Sequence, residues 1–352
     1  MRKILLIAAL AGLVLPLVTG AAPAGATPAS ANPLAGHKWG VYTEGQDGVY
    51  PAYQQATGTR KKLLAKVAKR PRARWYGSWM SAADVRRTVR HDIVTEQHGD
   101  PSIIVPIAMF RLWPKHESHK DDPLTKAQQS AYRNWVDAAA RGIGRSRVLM
   151  ILEPDLPVAL NGWRPAVRLS LTNYAARKFS ALPHTTIYLD GGAADWLTAD
   201  RAAWMLKQAG IAHVRGFALS GTHYDSTGSN VVHGRQILSA LAHRGIPGKH
   251  FVVDTSDNSH PFTYAQYYAT HPPGPYGGAE ACTTKSERRC VSLGIPPTTN
   301  VTAAAWHLSA KVKRIARRSC DAYVWYNRPW LKNGTAPFLL QRTLNIARTS
   351  PY

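Results

Sequence analysis

Seven short apolar, β-rich runs punctuate the chain, and each ends in polar or aromatic residues. They are ARWYGSW (73–79), SIIVPIAMF (102–110), VLMILEPD (148–155), TTIYLDGG (185–192), VRGFALSG (214–221), HFVVDTSD (250–257) and AYVWYNRPW (322–330). Between them lie stretches of helical period: 81–93 with Ser81 as cap, 125–144, 198–210 and 298–319. Strands that are apolar on both faces and alternate with helices predict a parallel sheet covered on both sides. No Gly-rich dinucleotide fingerprint follows any strand. The alternation therefore favours a closed or nearly closed seven-stranded parallel α/β barrel in a single domain over a doubly wound sheet. One long irregular stretch, 256–297, is rich in Pro, Gly, His and Tyr, and loops of that length inside a compact domain tend to be functional.

In VLMILEPDLP (148–157) a buried strand runs into Glu153 and Asp155. The carboxyl ends of parallel strands are where ligands sit, so both acids are candidates for a site; a turn that merely caps the next helix is the alternative. The other strand ends add Trp75, Tyr76, Trp79, Trp113, Asp190, Trp196, His223, Tyr224, Asp254, Trp325 and Trp330. Aromatic faces beside carboxylates suit a sugar groove, where indoles stack on apolar sugar faces while acids bind hydroxyls or move protons. About half of these tryptophans are expected to be ordinary core.

The amino terminus changes the picture. Arg2 and Lys3 precede ILLIAALAGLVLPLV, and small residues ending at Ala26 follow, the pattern of a signal peptide over residues 1–26 and of a protein secreted outside the cell. No later stretch reads as a membrane span. Removing Arg2 and Lys3 with that segment lowers the formal net charge from +23 to +21. Such an excess attracts polyanions, but no zinc-finger or RNA-binding signature accompanies it, so specific nucleic-acid binding is not expected. Cys282, Cys290 and Cys320 suit an oxidising compartment; a 282–290 bridge and a 290–320 bridge both fit the spacing.

YRNWVDAAARGIG, VLMILEPDLP, IYLDGGAADWL, GFALSGTHYD, VVDTSDN, LGIPPTTN and DAYVWYNRPWLKNG resemble, in that order, the segments of glycoside hydrolase family 6, and NPLAG at Asn32 resembles the start of that domain. The resemblance runs from residue 32 to 348. It implies a distorted seven-stranded barrel, a β-1,4-glucan lying in a tunnel or cleft across the strand ends, hydrolysis with inversion, no cofactor or metal, and a monomer. Asp155 matches an Asp that supports the family's site. Asp190, the stacking Trp196 and Asp254 match further site residues, and Trp39 matches an entrance aromatic. With Trp75, Tyr76, His223 and Asn327 these form the expected substrate-binding set.

The departures concern the chemistry. Leu112 stands where the family carries its general acid, Trp113 stands for a cysteine, and Ala193 for a His. In NRPWLKNG, Asn327 replaces a Lys, Leu331 a Glu and Asn333 the proposed base. An inverting glycosidase needs a carboxyl group to protonate the leaving oxygen and a carboxylate to activate water. Either Glu117, Asp121 or Asp122 has taken over as acid, or the chain is a catalytically silent polysaccharide binder of the cell wall or matrix. His116 and His119 flank Glu117 but lack the further ligands a metal site needs.

Overall fold

The computed structural model describes residues 31–113, 120–272, 276–332 and 335–352. The signal segment 1–26, Glu117 with His116 and His119, and Asn333 lie outside the described residues.

Six of the seven apolar runs contain one strand each, and the seventh strand begins two residues ahead of its run and ends within it. The strands are β1 (Arg74–Gly77), β2 (Val105–Phe110), β3 (Val148–Leu152), β4 (Thr185–Asp190), β5 (Gly216–Leu219), β6 (His250–Asp254) and β7 (Cys320–Val324). They form one parallel sheet in sequence order. Strands β2 and β3 are buried at every position, as a sheet covered on both faces requires. The sheet curls until the residues before β1 meet those after β7. There the closure rests on single contacts: the Ala73 amide donates to the Trp325 carbonyl at 2.8 Å, and the Trp75 indole donates to the Tyr326 carbonyl at 2.6 Å.

Ten helices are described: α1 (Val49–Gln55), α2 (Gly58–Ala68), α3 (Ala82–Gln97), α4 (Lys126–Ile143), α5 (Pro165–Ser180), α6 (Ala199–Gln208), α7 (Thr227–His243), α8 (Tyr264–Tyr268), α9 (Ala310–Ser319) and α10 (Leu340–Thr349). Helices α3 to α7 pack consecutively, and α9 closes the series against α7. The caps are legible in the residues. Ser81 accepts from the Asp84 amide at 3.1 Å, and Thr125 forms a reciprocal capping box with Gln128. The helix expected over 298–319 is shorter, beginning only at Ala310. Ser309 caps it by accepting from the Val312 amide, and His307 at φ 51° breaks any helix running up to it.

Two glycines show how close the backbones come. A Cβ on Gly216 would lie 1.7 Å from the His250 carbonyl oxygen in the adjacent strand, and one on Gly221 would lie 2.0 Å from the Tyr326 ring. Of the two disulfide pairings the spacing allowed, Cys282–Cys290 forms, and Cys320 is a buried free thiol.

A four-strand network ties the sheet together laterally. Buried Asp321 in β7 receives Arg215 Nε at 2.8 Å and Nη2 at 2.9 Å, and the Tyr188 hydroxyl of β4 at 2.7 Å. His250 Nδ1 of β6 lies 3.2 Å away. The Asn32 amide donates to the Asp321 carbonyl at 2.7 Å, fastening the start of the domain to the same strand.

Candidate active site

Parallel strands deliver their last residues to one face, and three carboxylates meet there. Asp190 closes β4, Asp254 closes β6, and Asp155 stands three residues after β3. The Asp155 amide donates to Asp190 Oδ2 at 2.8 Å, and Thr222 after β5 donates its hydroxyl to Asp155 Oδ1 at 2.8 Å. All three carboxylates act electrostatically on the buried Tyr326 hydroxyl and push its ionisation upward, after burial itself.

Backbone conformation marks the same place. Glu153 (φ 52°), Asp155 (φ 64°) and Ser220 (φ 71°) are non-glycine residues in the left-handed region, all just beyond β3 or β5. Such conformations persist only where the surroundings over-determine them. Glu153 is held by the Tyr132 hydroxyl at 2.7 Å and by the amides of Arg111 and Leu112 at 3.0 and 2.9 Å. It thereby fixes the backbone leaving β2, which makes it a positioning residue for that loop.

Burial dominates the ionisation of these acids. It pushes Glu153 up to about 7 against the Tyr132 hydroxyl and the two amides, and Asp190 up to about 7 against the amides of Gly192 and Asp155. Asp254 accepts from Ser256, Tyr326 and Asn327 amides. Asp257 is raised well above the carboxylate range by burial and then by the Asp254 charge. Asn327 donates to Asp257 Oδ2 at 2.6 Å.

The consequence for stability has a definite sign. A carboxyl whose folded pKa is raised binds its proton more tightly folded than unfolded, so stability falls as pH rises from the ordinary carboxylate range towards the raised value. The melting temperature of the wild type relative to Glu153→Gln is therefore expected to fall between about pH 5 and pH 7. A constant or rising difference in a calorimetric pH series would show that Glu153 is ionised when folded.

The expected sugar-binding residues are not all brought together. Trp196 is half-buried, and one of its faces is already covered by His223, 4.6 Å away and nearly parallel. His223 in turn is buried, bonded through Nδ1 to Asp195 Oδ1 at 2.7 Å, and flanked on its far side by Tyr264. Burial raises Asp195, but the His223 bond and charge more than offset it, leaving the group lowered. Trp75 is packed into the β1–β7 seam, and Tyr76 turns outward, its hydroxyl bonded to Asp92 of α3 at 2.7 Å. Trp39 bridges to Ile104 at the amino end of β2, so its backbone lies at the opposite end of the barrel from these carboxylates. Alternation explains the split: neighbouring strand residues point to opposite faces, so Trp75 and Tyr76 cannot both face the interior.

The residues after β2 are core. Leu112 is 2% exposed and lines, with Leu124 and Leu171, a cavity of ≈ 180 Å³ where α4 meets α5. Arg168 lies over the Trp113 ring at 4.5 Å and donates to the Leu112 carbonyl at 2.9 Å. Asp121 and Asp122 are exposed. Asp257, Thr222 and Asp195 were not anticipated. Asp257 stood in a VVDTSDN segment whose first acid alone carried a strand-end signal, and its partner Asn327 is 70 residues away.

Comparison with known proteins agrees with the fold. The family model for glycosyl hydrolases family 6 matches residues 40–336. Endoglucanase A of Cellulomonas fimi is 32% identical over 222 residues, 62% of this chain and 46% of that protein. Endoglucanase 1 of Streptomyces halstedii is 30% identical over 213 residues, 59% and 65% respectively. The chain thus spans less than two thirds of these relatives. Among solved structures, an endoglucanase from Mycobacterium tuberculosis in complex with methyl-cellobiosyl-4-deoxy-4-thio-β-D-cellobioside superposes with a TM-score of 0.70 at 25% identity, covering 91% of this chain and 99% of that one.

Proposed function

Because the chain belongs to glycosyl hydrolases family 6, we propose that it binds a β-1,4-linked glucan across the carboxyl ends of its strands and hydrolyses it slowly, with inversion. The observation that carries this reading is the gathering of Asp155, Asp190 and Asp254 about Tyr326, with the half-buried Trp196 in the segment that follows Asp190. Asp155 is the least enclosed of the three carboxylates and is the supporting group of the reaction. Leu112 supplies no proton, so general-acid assistance of about 10²–10⁴ in rate is missing unless Glu117, Asp121 or Asp122 provides it. The burial of Leu112 favours a second reading, a binder of the same polymer without turnover.

Reducing-sugar release from barley β-glucan and carboxymethylcellulose, measured beside calorimetric binding of cellohexaose, separates the two. Slow release supports hydrolysis, binding without release supports the silent binder, and neither sinks both. Trp196→Ala is expected to weaken cellohexaose binding by about 1–3 kcal/mol, since only its face away from His223 can carry a sugar. Unchanged affinity would remove Trp196 from the site. The formal charge supports an anionic polymer as natural ligand or surrounding. Binding to such a polymer would weaken steeply with added salt while cellohexaose binding would not; equal salt dependence would make the charge a solubility feature. Residues 1–26 read as an export signal, which sequencing of the amino terminus of the exported protein checks.

A further inference from the structure

Where β1 meets the chain leaving β7, four donors lie without partners. A small cavity of ≈ 30 Å³ is lined by Tyr42, Arg74, Arg328 and Trp330, together with Arg72 and Asp47. Each of the first four carries a buried donor with no hydrogen-bond partner among the described residues: the Tyr42 hydroxyl, Arg74 Nη2, Arg328 Nε and the Trp330 indole N–H. Unpaired buried donors cost free energy comparable to a lost hydrogen bond, and four around one cavity form a pattern.

The three guanidiniums there are unequally paired. Arg72 is matched by Asp47, with Nε 2.6 Å from Oδ2 and Nη2 3.3 Å from Oδ1. Arg74 is matched by Asp92 at 3.2 Å. Glu96 lies close enough to act on Arg72 and Arg74, and burial pushes its carboxyl well above the usual carboxylate range. Arg328 stacks over Trp75 at 4.1 Å and forms no ion pair with a described carboxylate. Arg328 therefore has no carboxylate bonded to it, and Asp47, which acts on it, is already bonded to Arg72. Burial and the neighbouring Arg74 charge push Arg328 down to about 9, which the Asp47 charge only partly offsets.

We propose that this cavity binds one monatomic halide, chloride in ordinary solution, between β1, the Tyr42 segment and the loop after β7. The size admits an object of roughly one water's volume and excludes phosphate, sulfate or a sugar carboxylate. A water can accept from only two of the four donors, whereas a halide can accept from all of them. The ion would join the two edges of the sheet where the backbone supplies a single hydrogen bond. It would also steady the loop that carries Asn327 to Asp254 and Asp257.

The test is thermal unfolding of the full chain from millimolar to half-molar sodium chloride, against sodium gluconate at equal ionic strength. The expected result is a saturating extra rise of about 2–4 °C in chloride only. Crystals grown in bromide should show an anomalous peak within hydrogen-bonding distance of Arg328 Nε. Arg328→Met should abolish the chloride-specific rise. Should that variant not fold, Trp330→Phe keeps the ring, removes one donor and should weaken the halide effect several-fold. Equal curves in chloride and gluconate, or a bromide crystal with an ordered water and no anomalous peak in the cavity, overturn the proposal.

Discussion

Leu112→Asp is expected to raise the rate of β-1,4-glucan hydrolysis by about 10²–10⁴, the usual worth of a positioned general acid. The backbone at this position is already fixed, since the Leu112 amide donates to Glu153 at 2.9 Å. A new carboxyl group would stand beside a buried acid that is itself pushed up to about 7. Proximity to Glu153 and removal from water both favour the protonated form, which a group donating a proton near neutrality needs. Fold stability should drop by about 2–5 kcal/mol, because the Leu side chain leaves its packing with Leu124 and Leu171. Asn333→Asp added to this variant should raise the rate further. The decisive outcome is a double variant that folds and still binds cellohexaose yet gains no activity: this would rule out a recently lost family mechanism and favour the silent binder. If wild-type turnover is measurable and Glu117→Gln abolishes it, the acid has moved to the loop after β2 instead.

Asp321→Ala should be the most destabilising single change in the sheet, at about 3–5 kcal/mol, because it strands the Arg215 guanidinium in a largely buried site. Arg215 Nε and Nη2, the Tyr188 hydroxyl and His250 Nδ1 all converge on this carboxylate. They belong to β4, β6 and the residue leading into β5, so the loss is felt across four strands. Asp321→Asn keeps an acceptor for Tyr188 and should cost less. Urea midpoints for the two variants check this ordering, and a change below about 1 kcal/mol for Asp321→Ala would show that the network is replaceable. Burial alone would raise Asp321, but its hydrogen bonds to Arg215 and His250 and their charges more than offset this and hold it below the ordinary carboxylate range. This contribution is present above that range and lost as pH falls through the lowered value, opposite in sign to that of Glu153.

The strands were legible because a parallel sheet covered on both faces writes an unbroken apolar run; six runs contain a strand, and the seventh overlaps β7, which starts earlier at Cys320. Helices α5 and α7 were not, since buried polar residues interrupt their apolar stripes: Arg168 and Thr172 in the first, Asn230 and His233 in the second. Asp155, Asp190 and Asp254 could be found because each ends a run. Direction was harder to read. That Tyr76 turns to Asp92 while Trp75 turns to Tyr326 depends on which face of β1 is inside, and Trp39 was placed by its motif, not by the strand end it flanks. The donors at the seam come from positions as far apart as Tyr42 and Trp330, which no local pattern joins.

The buried thiol of Cys320 bears on how the chain reaches its fold in an oxidising medium. Three cysteines permit three pairings, and only that of Cys282 with Cys290, eight residues apart, leaves β7 free to enter the sheet. A short segment brings its ends together more readily than one that must span the distance to Cys320, so the correct pair has a head start in the unfolded chain. Once β7 is in place, the remaining sulfur is sealed behind the sheet and its ionisation is pushed well up by burial. The thiolate needed for exchange is then scarce, and the early pairing becomes permanent.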